Sequence, residues 1–228
     1  MRRRTGSTPG GQGRFAGYDV LTQLSTWDDI TAGVVLRRLG PPQPPLRFFS
    51  PAEQATATAL LDHLLGQWDE PRVPLLAMID RRLVEGSTDG WHYADMPTDA
   101  QAWRSTLSCL DADAVARHGR RFAELAREQQ AAVIQGVQDR STDGEAWHGL
   151  PAKHVWSLWT RYACTAFYAH PWSWNEIGFG GPAYPRGYKN AGLDKREPWE
   201  RPERRSYDPI PEVRQTMQQR RERLEGGR

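Results

Sequence analysis

A chain of 228 residues with 38% hydrophobic and 25% charged side chains can bury one good core, and its 10 Trp and 17 Pro exceed what an ordinary core needs. Residues 1–50 carry seven basic and three acidic side chains, residues 51–185 eleven and seventeen, and residues 186–228 twelve and eight, so the net +2 hides an acidic middle between basic arms. That distribution excludes the basic, aromatic-studded stripe of a nucleic-acid binder, and no run nears the roughly 18 apolar residues of a membrane-spanning helix.

Residues 1–17 are Gly- and Arg-rich with almost no large apolar groups, and read as a disordered tail, because ordering them costs entropy that no burial offsets. Arg2, Arg3 and Arg4 are followed by no apolar run, so they do not make a complete twin-arginine export signal. From Ser25 the pattern turns helical. Ser25 with Asp28 and Thr26 with Asp29 have capping-box spacing, and Ile30, Val34, Val35 and Leu39 share a face before Gly40. Pro41, Pro42, Pro44 and Pro45 form a stiff connector.

Ser50-Pro51-Ala52-Glu53 starts a second helix, with Ser50 as cap and Pro51 in the first turn, which runs to Leu65 and stops at Gly66. A third spans Pro74 to Glu85 and buries Leu75, Leu76, Ile79 and Leu83. Thr98 to Gln101 caps a fourth through Leu110, with Trp103 and Leu107 inward, and Asp111 to His118 is a short helical piece before Gly119. Phe122 to Gln138 presents Leu125, Val133, Ile134 and Val137, and the last long helix runs from Pro151 to the break at His170-Pro171. Ser87-Thr88-Asp89-Gly90-Trp91-His92 is echoed by Ser141-Thr142-Asp143-Gly144 before Trp147-His148, a recurrence that Asp-Gly turn chemistry explains more simply than duplication. With no sustained period-two alternation, the fold class is all-α: about six helices in an irregular domain over 18–169, an extended arm over 170–200, and a polar basic tail over 201–228 that can hold a short helix.

The six histidines have no pair at helical i, i+4 spacing, Cys109 and Cys164 have neither metal nor disulfide-framework spacing, and no G-x-S-x-G is present. Gly178-Phe179-Gly180-Gly181 runs straight into Pro182, which is not the glycine turn that opens a dinucleotide-binding helix. No metal or cofactor is therefore expected in this chain. What remains is the run from His170 to Tyr188, with Pro171, Trp172, Trp174, Asn175, Glu176, Ile177, Gly178, Phe179, Gly180, Gly181, Tyr184, Pro185, Arg186 and Gly187 as its candidate partner-binding residues, together with His170 and Tyr188 themselves. Five large aromatics among glycines and prolines suggest an extended, turn-rich arm whose side chains dock on this chain's helices or on another protein. Two other readings stay open: a stand-alone enzyme using His170, Asn175 and Glu176 as acid, base and orienter, and a carbohydrate-binding module with Trp and Tyr platforms.

The run HPWSWNEIGFGGPAYPRGY, with Arg196-Glu197-Pro198-Trp199-Glu200 after it, resembles the signature of the gluconate 2-dehydrogenase subunit 3 family. Phe48-Phe49-Ser50-Pro51-Ala52-Glu53 and Met78-Ile79-Asp80-Arg81-Arg82-Leu83 resemble the starts of that family's first core helices, and the likeness spans about residues 15 to 200. The resemblance implies a small, helical, non-catalytic subunit that associates with an FAD-containing subunit of the glucose-methanol-choline oxidoreductase family, whose substrates are commonly sugars, sugar acids or other alcohols. FAD is then expected in the partner. Relatives often carry a twin-arginine signal and escort the flavoprotein across the membrane. This chain lacks the apolar region of such a signal, so the expected location of the complex is the cytoplasm.

Overall fold

The computed structural model describes residues 15, 17–40, 45–70, 72–187 and 195–201. Among these are seven α-helices: α1 (Asp29–Arg38), α2 (Pro51–Leu65), α3 (Leu75–Val84), α4 (Asp99–His118), α5 (Arg127–Asp143), α6 (Ala152–Tyr168) and α7 (Pro171–Ile177). Two 3-10 turns, Val20–Thr26 and Phe122–Glu124, and a hairpin of β1 (Ala146–Trp147) with β2 (Leu150–Pro151) complete it. The all-α expectation holds. Pro41, Pro42 and Pro44 of the expected connector, most of the N-terminal tail, Tyr188 and the tail after 201 lie outside the described residues.

The helix boundaries follow from local chemistry where that chemistry is strong. α2 has a full capping box, Ser50 Oγ accepting from Glu53 N and Glu53 Oε2 from Ser50 N, and it ends on Gly66 at φ 65. α4 is one unbroken helix to Gly119, not a helix plus a short piece: nothing between Leu110 and Asp111 breaks it, and Asp111 instead turns outward to accept from Thr56 Oγ1 and Phe122 N. α5 starts five residues later than its periodicity suggests, because Phe122–Glu124 closes as a 3-10 turn first. The hairpin turn at His148 and Gly149, with φ 48 and 80, was not foreseen; Asp113 fixes it by accepting from Trp147 Nε1 and pairing with His148 Nε2, each at 2.8 Å.

The main core joins α2 to α6 around Trp103, Trp159, Leu60, Leu107 and Phe122, all buried. Its Trp159 indole donates to Thr106 Oγ1 at 3.1 Å. Polar side chains inside this bundle fix the connections. Asp80 of α3 is 4% exposed and accepts from three backbone N–H groups in series, Arg47 at 2.9 Å, Phe48 at 2.8 Å and Phe49 at 3.0 Å. Those bonds place Ser50 where it can cap α2. Asp89 ion-pairs with both Arg82 of α3 and Arg161 of α6, while Tyr162 donates to Asp99 Oδ2 at 2.7 Å. The first Ser-Thr-Asp-Gly copy is thus an irregular turn pinned by Asp89, whereas the second is the end of α5 capped by Gly144, so the two copies share no structure.

A second, smaller cluster sits apart from the first: Tyr18, Val20, Trp27, Val35 and Trp174, with Phe15, Leu21, Leu24 and Ala32 packed against it. It joins residues 15–38 to α7 and the chain after it. α1 departs from expectation in its cap. Asp28, not Ser25 or Thr26, is the cap, accepting from Thr31 N at 2.7 Å, because Val20–Thr26 has already closed as a 3-10 turn. Of the residues expected to share a face, only Val35 is buried, at 1% exposure; Ile30 is 78% and Val34 39% exposed.

Candidate functional site

The segment expected to be extended from His170 begins instead as the two-turn helix α7. His170 and Pro171 do end α6, but they also start α7. His170 is its N-cap, with Nδ1 accepting from Trp172 N at 3.3 Å, and Pro171 occupies the first turn, where its missing N–H costs nothing. Gly178, at φ 69, closes the helix. Glycine and proline content argues against a helix here, but the cap, the proline and the glycine stand where a short helix wants them. From Gly178 to Gly187 the chain is irregular, as expected.

The inner face of this segment is committed to its own chain. Trp174 is buried, donating Nε1–H to Tyr168 O at 2.7 Å, and Ser173 Oγ donates to His170 O at 2.7 Å. Asn175 Oδ1 accepts the buried N–H of Val20 at 2.7 Å, a bond between residues 155 apart. Tyr18 donates to Phe179 O, and Trp27 Nε1 to Pro182 O at 2.9 Å. Pro171, Glu176, Gly180 and Gly181 are buried as well. The glycines allow close approach: a Cβ on Gly178 would lie 2.7 Å from the Phe15 ring, and one on Gly180 3.0 Å from Trp199. Phe15, placed by sequence in the tail over 1–17, is therefore packed beneath the motif.

Arg186 ties the segment together. Its guanidinium donates to Gly180 O at 2.9 Å, to Pro182 O at 2.8 Å and to Thr26 Oγ1 at 3.1 Å, and lies between the Trp27 and Trp199 rings at 5.7 and 4.5 Å. The stretch 195–201 returns here, with Arg201 4.4 Å over the Tyr18 ring, and leaves a cleft of about 530 Å³ lined by Ile177, Phe179, Arg196, Trp199 and Arg201. Burial, with opposing help from nearby arginines, pushes the Tyr18 phenol up.

The outer face is different in character. Ile177 is 43% exposed, Phe179 41% and Tyr184 67%, with Pro185 and Gly187 also exposed, so apolar and aromatic groups project from a backbone held rigid behind them. Trp172 is half-buried and packs on the main core. Sequence reasoning missed the residues that grip the motif, Tyr18, Val20, Trp27 and Arg38; the aromatics at 15, 18 and 27 beside so few other apolar residues were the available signal.

His170 is 2% exposed, and burial, with the positive charge of Arg38 nearby, depresses its imidazole to about 4. The unfolded chain therefore takes up a proton that the folded chain refuses. Stability is full above pH ~6.5 and falls as the pH drops through that value, the loss levelling off near pH 4 at about 3 kcal/mol or less. His170→Asn keeps a capping side chain without the titration. Urea unfolding at pH 7 and pH 4.5 should show a smaller acid loss in the variant; equal losses would remove the buried neutral imidazole from the account.

Among the described residues no group of three metal-ligating side chains comes together, and no helix is long and apolar enough to cross a membrane. Cys109 is half-buried and Cys164 exposed, and both are free thiols. No curated protein and no solved structure matches the chain. One family does, described as gluconate 2-dehydrogenase subunit 3, over residues 51–181, from the first turn of α2 to the second glycine of the Gly180-Gly181 pair. The match takes in the helical bundle and the motif but not the N-terminal segment that packs on it, and it covers more than half of the chain, which belongs to the gluconate 2-dehydrogenase subunit 3 family.

Proposed function

We propose that the chain is a non-catalytic small subunit that binds and stabilises an FAD-dependent dehydrogenase or oxidase subunit of the glucose-methanol-choline type, acting on alcohols, sugars or sugar acids. The flavin belongs to that partner. Family membership supplies the subunit character. The observation that carries the reading further is the two-sided build of the Pro171–Gly187 segment: its inner face is locked by hydrogen bonds to residues 18–27, and its outer face holds Ile177, Phe179 and Tyr184 in solvent. Rigid, pre-ordered aromatics lose little entropy on docking, which is what a stable interface anchor requires. The alternative of His170 as an acid or base is less well supported, since its Nδ1 is occupied by Trp172 N–H and its ring is kept neutral by burial.

Co-expression with the flavoprotein tests the reading directly. The wild-type chain should co-purify with a yellow, flavin-absorbing subunit. Phe179→Ala with Tyr184→Ala should weaken that association by about tenfold or more while leaving the far-ultraviolet circular dichroism unchanged, because neither side chain is buried. Trp172 is a poorer probe, as it packs on the core. Undiminished co-purification of the double variant would remove the outer face from the interface, and turnover of an alcohol or sugar by the purified chain alone would overturn the non-catalytic assignment.

A further inference from the structure

α1 brings a second wall to the motif. Its Ile30, Thr31, Val34 and Val35 face Trp174, Phe179 and Pro182 across a groove of about 340 Å³, closed at one end by Arg38. The floor is built: Val35 and Trp174 are buried, and the Phe179 ring meets Trp174 edge to face at 5.6 Å. The rim is not covered, with Ile30 78% exposed, although a β-branched apolar side chain gains nothing from pointing into water at the start of a helix. Arg38 donates to Ala169 O at 2.6 Å and lies 5.8 Å from the Trp174 centroid, yet it remains exposed, with guanidinium N–H groups left over for another acceptor.

We infer that this groove receives an apolar segment of the dehydrogenase subunit, two or three side chains long, that carries a carboxylate to meet Arg38. The inference rests on the proposed function and deepens it by naming the surface and the chemistry that fits it. Arg38 is the one charged residue among the eight that line the groove, which sets the sign of the complementary charge. Eight lining residues suit an anchor within a larger interface, since a self-sufficient pairing of two copies takes about 20 to 30 residues a side. Trp174 and Phe179 of the motif wall lie within the family-matched residues, and Pro182 and the α1 wall lie outside them.

The test compares Ile30→Asp with Val34→Asp, as a double variant, and Arg38→Ala against Leu36→Asp, which alters an exposed residue of α1 outside the groove. Each is co-expressed with the FAD-dependent dehydrogenase chain of the same complex, and the affinity is measured by titration of the purified proteins. The double variant should bind at least about tenfold more weakly, Arg38→Ala severalfold more weakly with a flatter salt dependence, and Leu36→Asp as well as wild type. If wild type binds and the double variant binds equally, the groove assignment is overturned while the proposed function stands. If wild type fails to bind the flavoprotein, both fall. If the chain alone is a dimer that the double variant disperses, the groove is an interface between copies and the inference is overturned.

Discussion

Replacing Asp80 by Ala is expected to cost about 3 to 5 kcal/mol and to lower the melting temperature by about 10 °C. The reason lies in the number of donors it serves. Arg47, Phe48 and Phe49 give their N–H groups to one carboxylate, and Phe49 is buried, so its donor has no water to turn to when the acceptor is removed. Arg47 and Phe48 are more open and recover part of their loss in solvent. A structural knock-on adds to this, because the same stretch delivers Ser50 to the N-terminus of α2 and Phe49 to the Trp103 ring at 5.9 Å. Asp80→Asn keeps one oxygen and turns an NH₂ toward the remaining donors, so its cost should fall between wild type and Ala. Urea denaturation followed by circular dichroism measures both; an Ala variant within about 1 kcal/mol of wild type would mean that the three bonds are replaced by water at little cost.

Gly181→Ala should act on a different part of the molecule. At φ 78 any side chain is strained, and a Cβ there would fall inside van der Waals contact of Trp27 and 3.0 Å from its Cη2. Strain of about 1 kcal/mol and overpacking of 1 to 3 kcal/mol add to about 2 to 4 kcal/mol. That cost is concentrated in the small cluster of Tyr18, Val20, Trp27, Val35 and Trp174, which the main core does not need. The expected result is a protein whose α2–α6 bundle melts nearly as before, but whose residues 18–40 are cut by a protease under native conditions. Gly144→Ala is the control, since its φ of 76 is similar and nothing lies within 4 Å of the added carbon, so it carries the backbone strain alone. Equal behaviour of the two variants would show that the Trp27 contact gives way freely.

The parts of the fold that sequence made legible are those decided within one helical turn. Ser50, Pro51, Glu53 and Gly66 mark both ends of α2, and the spacing of Val133, Ile134 and Val137 picks out the buried face of α5. α7 was misread because its proline and glycine were taken as prohibitions, when at the first and last positions of a helix they are favoured. The burial of α1 was not legible for another reason. Its apolar residues have the right period, but period alone says only that they share a face, and the neighbour that covers Val35 leaves Ile30 and Val34 bare. The candidate site followed the same division: the aromatic segment was legible as a docking element, whereas its division into inner and outer faces depends on Tyr18, Val20 and Trp27, whose aromatics are visible in the sequence but whose pairing with a segment some 150 residues away is not.

The bond between Val20 N and Asn175 Oδ1 has a consequence for the order in which the molecule is made. The ribosome delivers residues 15–38 early, but Trp174, Gly181 and Arg186, on which they pack, emerge some 150 residues later. At about 5 to 20 residues per second, Tyr18, Val20 and Trp27 wait on the order of ten seconds or more for Trp174, Gly181 and Arg186, while the α2–α6 bundle is synthesised and folds. The segment that leaves the ribosome early thus finds its place late, and a folding helper has that interval in which to meet it.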